Sequence, residues 1–145
     1  MSPDTRRLVP ELIVSNFARS FEFYTQVLGF RKLYDREDEG FAFLDRQGAQ
    51  LMLDQRGASG ERDWVAAELV YPYGRGMNLE IEVENVDALW QACVGSGARI
   101  FLEIEEKWYR RDALLLGVRQ FIVMDPDGYF LRLSQSLGTR PVEGS

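Results

Sequence analysis

The sequence predicts an α+β fold in which one supersecondary unit, a strand, a helix and three strands, occurs twice. Two pairs of matching segments carry that reading. Val14-Ser15-Asn16 before one helical stripe matches Val83-Glu84-Asn85 before another. Asp45-Arg46-Gln47-Gly48 likewise matches Asp125-Pro126-Asp127-Gly128, each ahead of a closing strand. Repetition of one unit usually means that neither half buries its apolar face alone. At 145 residues, 46% hydrophobic and 28% charged, the chain is the size of one domain with its own core.

In order, Leu8 to Val14 reads as a strand and Asn16 as a helix N-cap. Phe17, Phe21, Tyr24 and Leu28 form a 3.6-period stripe that stops at Gly29, and these aromatics, with Trp90, are expected in the core. Phe30 to Tyr34 reads as the second strand, and Phe41 to Leu44 with Gln50 to Asp54 as a hairpin. An irregular stretch from Gln55 to Arg75 follows, punctuated by Gly57, Gly60, Pro72 and Gly74. Then the pattern restarts. Asn78 to Val83 is a strand, and Val86, Leu89, Trp90, Cys93 and Val94 are a helical stripe. Arg99 to Glu105 is the sixth strand, with Trp108 and Tyr109 in the loop after it. Gly117 to Met124 and Tyr129 to Ser134 form the last hairpin, where Pro126 and Gly128 suit a type I turn. The expected layout is a single domain over 1–145: module one at about 7–55, a connecting loop at about 55–76, module two at about 77–136, and a loose tail over 137–145.

Composition narrows the function. The formal charge is −6, and the segment from Glu80 to Glu106 holds seven acids against one base, Arg99. An acidic chain repels phosphates and anionic membrane surfaces, so nucleic acid and membrane are not expected partners, whereas a cation is. There is no histidine, which removes the commonest general base and the commonest ligand for zinc or iron. The single cysteine, Cys93, excludes an intrachain disulfide and lies on the helical stripe, where it reads as a core residue. No Gly-x-Ser-x-Gly elbow or phosphate-binding glycine loop is present. Met1 to Pro10 lacks an apolar core of signal-peptide kind, and a reducing, cytoplasmic setting is expected.

The run Val9-Pro10-Glu11-Leu12-Ile13-Val14-Ser15-Asn16, with Phe23-Tyr24 and Leu28-Gly29-Phe30, resembles the opening of vicinal oxygen chelate proteins. That group includes glyoxalase I, extradiol dioxygenases and bleomycin resistance proteins. Phe121-Ile122-Val123-Met124-Asp125-Pro126-Asp127-Gly128-Tyr129 resembles its closing hairpin. The resemblance implies two tandem βαβββ modules forming a cup-shaped half-barrel, completed in a homodimer. In metal-dependent members it implies ligands at places that here hold Val9, Met52, Asn78 and Arg132. Valine and methionine are poor ligands for such a metal, and arginine repels it, so no metal or other cofactor is expected. The resemblance is therefore to the metal-free, drug-binding branch, and it implies sequestration of a cationic, bleomycin-type ligand.

Strand alternation supplies the candidate site. If Leu79, Ile81 and Val83 pack under the helix, Asn78, Glu80 and Glu82 look the other way. The same parity turns Glu11, Gln50, Met52, Asp54, Phe130, Arg132 and Ser134 away from the core. Trp108 and Tyr109 are candidates to stack on a flat ligand, or else to close a dimer seam. The binding set is thus Glu11, Asp54, Asn78, Glu80, Glu82, Trp108, Tyr109 and Arg132. A rival reading is a metal-independent isomerase or lyase acting on a small carboxylic acid, with Glu80 or Glu11 as base and Arg132 as anchor. The two differ at Arg132, which is free in the second reading and paired in a structural role.

Overall fold

Asn16 and Asn85 each turn the chain from a strand into a helix in the same way. Each side-chain oxygen accepts from the backbone N–H three residues on, Asn16 from Arg19 at 3.0 Å and Asn85 from Ala88 at 3.1 Å. The computed structural model describes residues 5–55, 57 and 64–143, so part of the stretch expected as the connecting loop lies outside the described residues. The chain divides into two compact units, Met1–Tyr73 with Pro126–Gly128, and Gly74–Asp125 with Tyr129–Ser145.

The first unit runs β1 (Glu11–Val14), α1 (Phe17–Glu22), β2 (Arg31–Arg36), β3 (Phe41–Arg46) and β4 (Ala49–Gln55). Its sheet order is β1-β4-β3-β2, with β1 parallel to β4 and the other pairs antiparallel. The second unit runs β5 (Asn78–Glu82), α2 (Val86–Gly95), β6 (Arg99–Arg111), β7 (Leu114–Met124) and β8 (Phe130–Pro141). Its order is β5-β8-β7-β6, again with the first strand parallel to the last. Both units therefore carry one topology.

A glutamine at the same place in each unit completes the helix start. Gln55, the last residue of β4, accepts from the Phe17 N–H at 2.8 Å. Gln135 in β8 accepts from the Val86 N–H at 2.9 Å. Each thus satisfies an N–H that lacks a partner within its helix.

The core lies between helix and sheet. Leu12, Val14, Tyr24, Leu28, Leu44, Leu51 and Leu53 are buried in the first unit. Ile81, Val83, Val86, Leu89, Cys93, Phe121, Val123, Leu131 and Leu133 are buried in the second. Burial alone pushes the Cys93 thiol up to about 11, which leaves it inert. The helical stripes differ from expectation in detail. α1 widens into a π-helical turn over Phe23–Val27, which brings Phe23 and Tyr24 inward and leaves Phe17 and Phe21 half-buried as a stacked pair 5.6 Å apart. Trp90 is half-buried against Phe121, and Val94, one residue before the end of α2, is 48% exposed.

The turns follow their residues. Gln47 (φ +51°) and Gly48 (φ +96°) form the two-residue connection between β3 and β4 that suits strand twist. At the other hairpin the Asp125 N–H donates to the Tyr129 carbonyl at 2.9 Å. Asp127 there has a buried carboxylate that accepts from the Ser15 N–H at 2.9 Å and from the Ser15 hydroxyl. The expected loose tail is a correction. β8 continues to Pro141, because β7 runs beside it and pairs Leu114 with Pro141 and Leu116 with Thr139.

The glutamine caps make a direct stability prediction. Gln55→Ala and Gln135→Ala should each cost about 1 kcal/mol, since each leaves a helix-start N–H without its partner. Gln91→Ala on the exposed face of α2 is the control and should be near neutral. Urea unfolding followed by circular dichroism checks this.

Candidate functional site

The site grows from the register of the second sheet. Glu80 lies beside Arg132 and Glu82 beside Ser134 across the parallel pair. Ile122, Gln120 and Val118 lie beside Arg132, Ser134 and Ser136 across the antiparallel pair. Ile81, Leu131 and Leu133 are buried on the helix side, so alternation sends these polar neighbours to the opposite face. There Glu80, Glu82, Val118, Ser134 and Ser136 line a concavity of about 360 Å³.

Arg132 is held within this face. Its Nε donates to Asn78 Oδ1 at 3.0 Å, and one Nη donates to Gln120 Oε1 at 3.3 Å and lies 3.6 Å from the Glu80 carboxylate. Gln120, 1% exposed, donates through Nε2 to Glu105 at 3.0 Å and to the Tyr109 hydroxyl at 2.7 Å. The Ser134 hydroxyl donates to Glu80 at 3.1 Å. The network ties down Arg132 and one oxygen of Glu80, and leaves Glu82 without a hydrogen-bond or ion-pair partner among the described residues.

Asn78, Glu80, Glu82, Tyr109 and Arg132 therefore share one face, as strand parity predicts. Trp108 does not. It lies in β6 rather than in a loop, directly opposite Gly117, whose neighbour Val118 points into the concavity. Trp108 is consequently on the helix-side face. Its ring lies over Gly117, where a Cβ would come within 2.6 Å of it, and the Arg140 guanidinium stacks on the ring at 4.1 Å. Tyr109 is also in β6, 41% exposed. Lys107 to Arg111 lacks apolar alternation and so carries no strand signal of its own; pairing with β7 extends the strand through it.

Glu11 and Asp54 belong to the first unit, on adjacent parallel strands in the register Glu11↔Met52 and Ile13↔Asp54. Burial raises the Glu11 carboxyl above its usual range, the nearby Asp54 adds to the rise, and Arg36 opposes it. Burial likewise raises Asp54, with Arg36 opposing and Glu39 adding. Arg36 is paired with Glu39 at 3.3 Å and stacks over Phe41 at 4.0 Å. Beside it, Tyr34 stacks on Phe43 at 5.3 Å.

Sequence reasoning missed Gln120, Glu105, Val118 and Ser136. The signal for Gln120 was present, since an amide beside core Phe121 in an otherwise apolar strand must turn to the other face. Gln50, expected on the open face, is 7% exposed and instead donates to Asp45 at 2.9 Å.

The positions that hold metal ligands by resemblance do not suit a metal here. Val9 has no donor, Met52 offers only a thioether, and Asn78 Oδ1 already accepts from Arg132, a permanent cation. Among the described residues no group of three histidine, cysteine, aspartate or glutamate side chains is placed to hold a metal ion.

Gly117→Ala should cost about 1–3 kcal/mol through collision with the Trp108 ring, and most of that cost should vanish in a Trp108→Leu background. A thermal-unfolding double-mutant cycle measures the coupling. Glu11 is raised in the folded state, so its penalty is absent below the ordinary glutamate range and fully present above its raised value. Glu11→Gln should therefore be more stable than wild type near about pH 7 and lose that advantage near about pH 3, as read by unfolding at both values.

Against known proteins, residues 7–133 match the model of the Glyoxalase/Bleomycin resistance protein/Dioxygenase superfamily. A solved protein of unknown function from Agrobacterium tumefaciens is 27% identical, with a TM-score of 0.67 over 92% of this chain and 95% of that one. TioX from Micromonospora sp. ML1 is 23% identical, with a TM-score of 0.63 over 90% and 95%. A superfamily member from Vibrio splendidus 12B01 is 32% identical over 88% and 95%, with a TM-score of 0.41. No curated protein matches. No helix among the described residues is long and apolar enough to cross a membrane. Twin units of one topology, joined by a sequence match that spans nearly all of both, place the chain in the glyoxalase/bleomycin resistance protein/dioxygenase superfamily.

Proposed function

We propose that this protein binds a cationic, partly aromatic small molecule on the open face of its second sheet and holds it without chemistry, as drug-sequestering members of a bleomycin resistance kind would. The observation that carries the reading is the concavity lined by Glu80, Glu82, Ser134 and Ser136, in which Glu82 has no partner among the described residues. A carboxylate in that position is suited to an ammonium or guanidinium, and the serine hydroxyls to hydrogen bonds from the same group. Stacking would come from Tyr109 and from Phe101, which is 60% exposed and contacts Phe130 at 4.4 Å, rather than from Trp108.

The enzyme reading has one observation in its favour, the raised carboxyl of Glu11. Against it, Arg132 is committed to Asn78, Gln120 and Glu80, which is the paired arrangement of a structural arginine rather than of a free carboxylate anchor. Calorimetry separates the two with a bleomycin-type glycopeptide and a small carboxylic acid as probes. The expected result is that the cation binds, more weakly in higher salt because part of the attraction is screened over about 8 Å, and several-fold more weakly to Glu82→Gln. Binding of the acid alone, lost in Arg132→Ala, would overturn the proposal in favour of the enzyme.

A further inference from the structure

The open face of the first sheet repeats part of the second sheet's arrangement but lacks its arginine. Glu11 precedes Val14 by the same step as Glu80 precedes Val83, and Asp54 precedes the capping Gln55 as Ser134 precedes Gln135. The parallel pairs share one register, with Glu11 beside Met52 and Glu80 beside Arg132. Where the inner strand of the second sheet supplies a guanidinium, the inner strand of the first supplies a thioether. The half-buried carboxylates of Glu11 and Asp54 accordingly have no hydrogen-bond or ion-pair partner among the described residues.

Beside these acids the face is aromatic. Phe41 lies opposite Asp54 and Phe43 opposite Met52. Both rings turn away from α1, because the intervening Ala42 and the adjacent Leu44 pair with core Leu53 and Leu51. On the next strand Tyr34 lies opposite Phe43 and Arg36 opposite Phe41. Tyr34 stacks on Phe43 at 5.3 Å and is 48% exposed. The Arg36 guanidinium lies over the Phe41 ring at 4.0 Å, and its charge acts on both Glu11 and Asp54.

Carboxylates beside the face of a ring suit a flat cation, which donates hydrogen bonds in its plane and meets the ring with its face. The chain supplies one such cation itself, but holds it weakly. Arg36 comes from the outer strand β2, and its ion pair with Glu39 at 3.3 Å joins side chains 49% and 41% exposed. A pair so open to water contributes little. Arg132, by contrast, is fixed by an amide on each side.

We propose that this face is a second cation site, for a guanidinium or amidinium group of a small molecule, and that Arg36 is its internal occupant. The incoming group displaces Arg36 from the Phe41 ring and takes hydrogen bonds to Glu11 and Asp54. The site lies wholly within the first unit and shares no residue with the concavity of the second sheet, so it stands or falls separately from that one.

Calorimetry tests it with benzamidine, an aryl amidinium, and benzamide, its neutral isostere. Arg36→Ala should bind benzamidine about tenfold more tightly than wild type, because the competing charge has gone. Arg36→Gln, which keeps a side chain on the ring and removes only the charge, should shift binding the same way. In the Arg36→Ala background, Glu11→Gln and Asp54→Asn should each weaken benzamidine several-fold, and benzamide should gain nothing. The gain should persist with Glu82→Gln, which alters the other site alone, while circular dichroism shows every variant folded. The proposal is overturned if Arg36→Ala binds benzamidine no more tightly than wild type or if benzamide gains equally. It is overturned too if the gain disappears with Glu82→Gln and survives Glu11→Gln.

Discussion

In each unit the first strand lies parallel to the last, and the remainder of the unit is arranged by that pairing. A parallel neighbour cannot be reached by a tight turn, so the chain must cross over, and α1 or α2 is the crossover. The helix then covers one sheet face, which makes Leu12, Leu53, Ile81 and Leu133 core residues and sends their neighbours to the other side. The same pairing brings Gln55 and Gln135 to the helix starts. Sheet closure, helix position and helix capping are one event in each unit.

The open face of the second sheet inherits its chemistry from this arrangement. Because β8 is central, Arg132 and Ser134 sit between Asn78, Glu80 and Glu82 on one side and Gln120 on the other. A lone cation among acids would be drawn to whichever carboxylate is nearest; here an amide on each side holds the guanidinium in place. The result is a face whose positive charge is used up internally and whose remaining carboxylate, Glu82, looks outward.

What could be read in the sequence follows from which forces are local. The Asn caps, the Asp-x-x-Gly turns and the two-residue alternation are local, and they located both units and the faces of Glu80, Glu82 and Arg132. The reach of β6, β7 and β8 beyond Glu105, Gly117 and Ser134 is set by cross-strand pairing, which no window of Lys107 to Arg111 or of Ser136 to Pro141 reveals. That is why Trp108 was expected in a loop and proves to cover a glycine on the far face. The inward shift of Phe23 is set by a wide helical turn, equally invisible in a 3.6-residue stripe.

The glutamine caps also bear on how the units assemble. α1 has six residues and α2 ten, too few to hold helical structure alone in water. Beside the local asparagine caps, their starts draw on residues 38 and 49 positions away in the chain, supplied only when the last strand docks. Neither helix is then a seed for folding. Loop closure between the ends of a unit has to come first, which makes the search non-local and comparatively slow for so small a protein. In the folded state the dependence runs in reverse: when the last strand of a unit peels away, its helix keeps its asparagine cap but loses the glutamine partner of its first N–H, so amide protons of the two should exchange as one cooperative block.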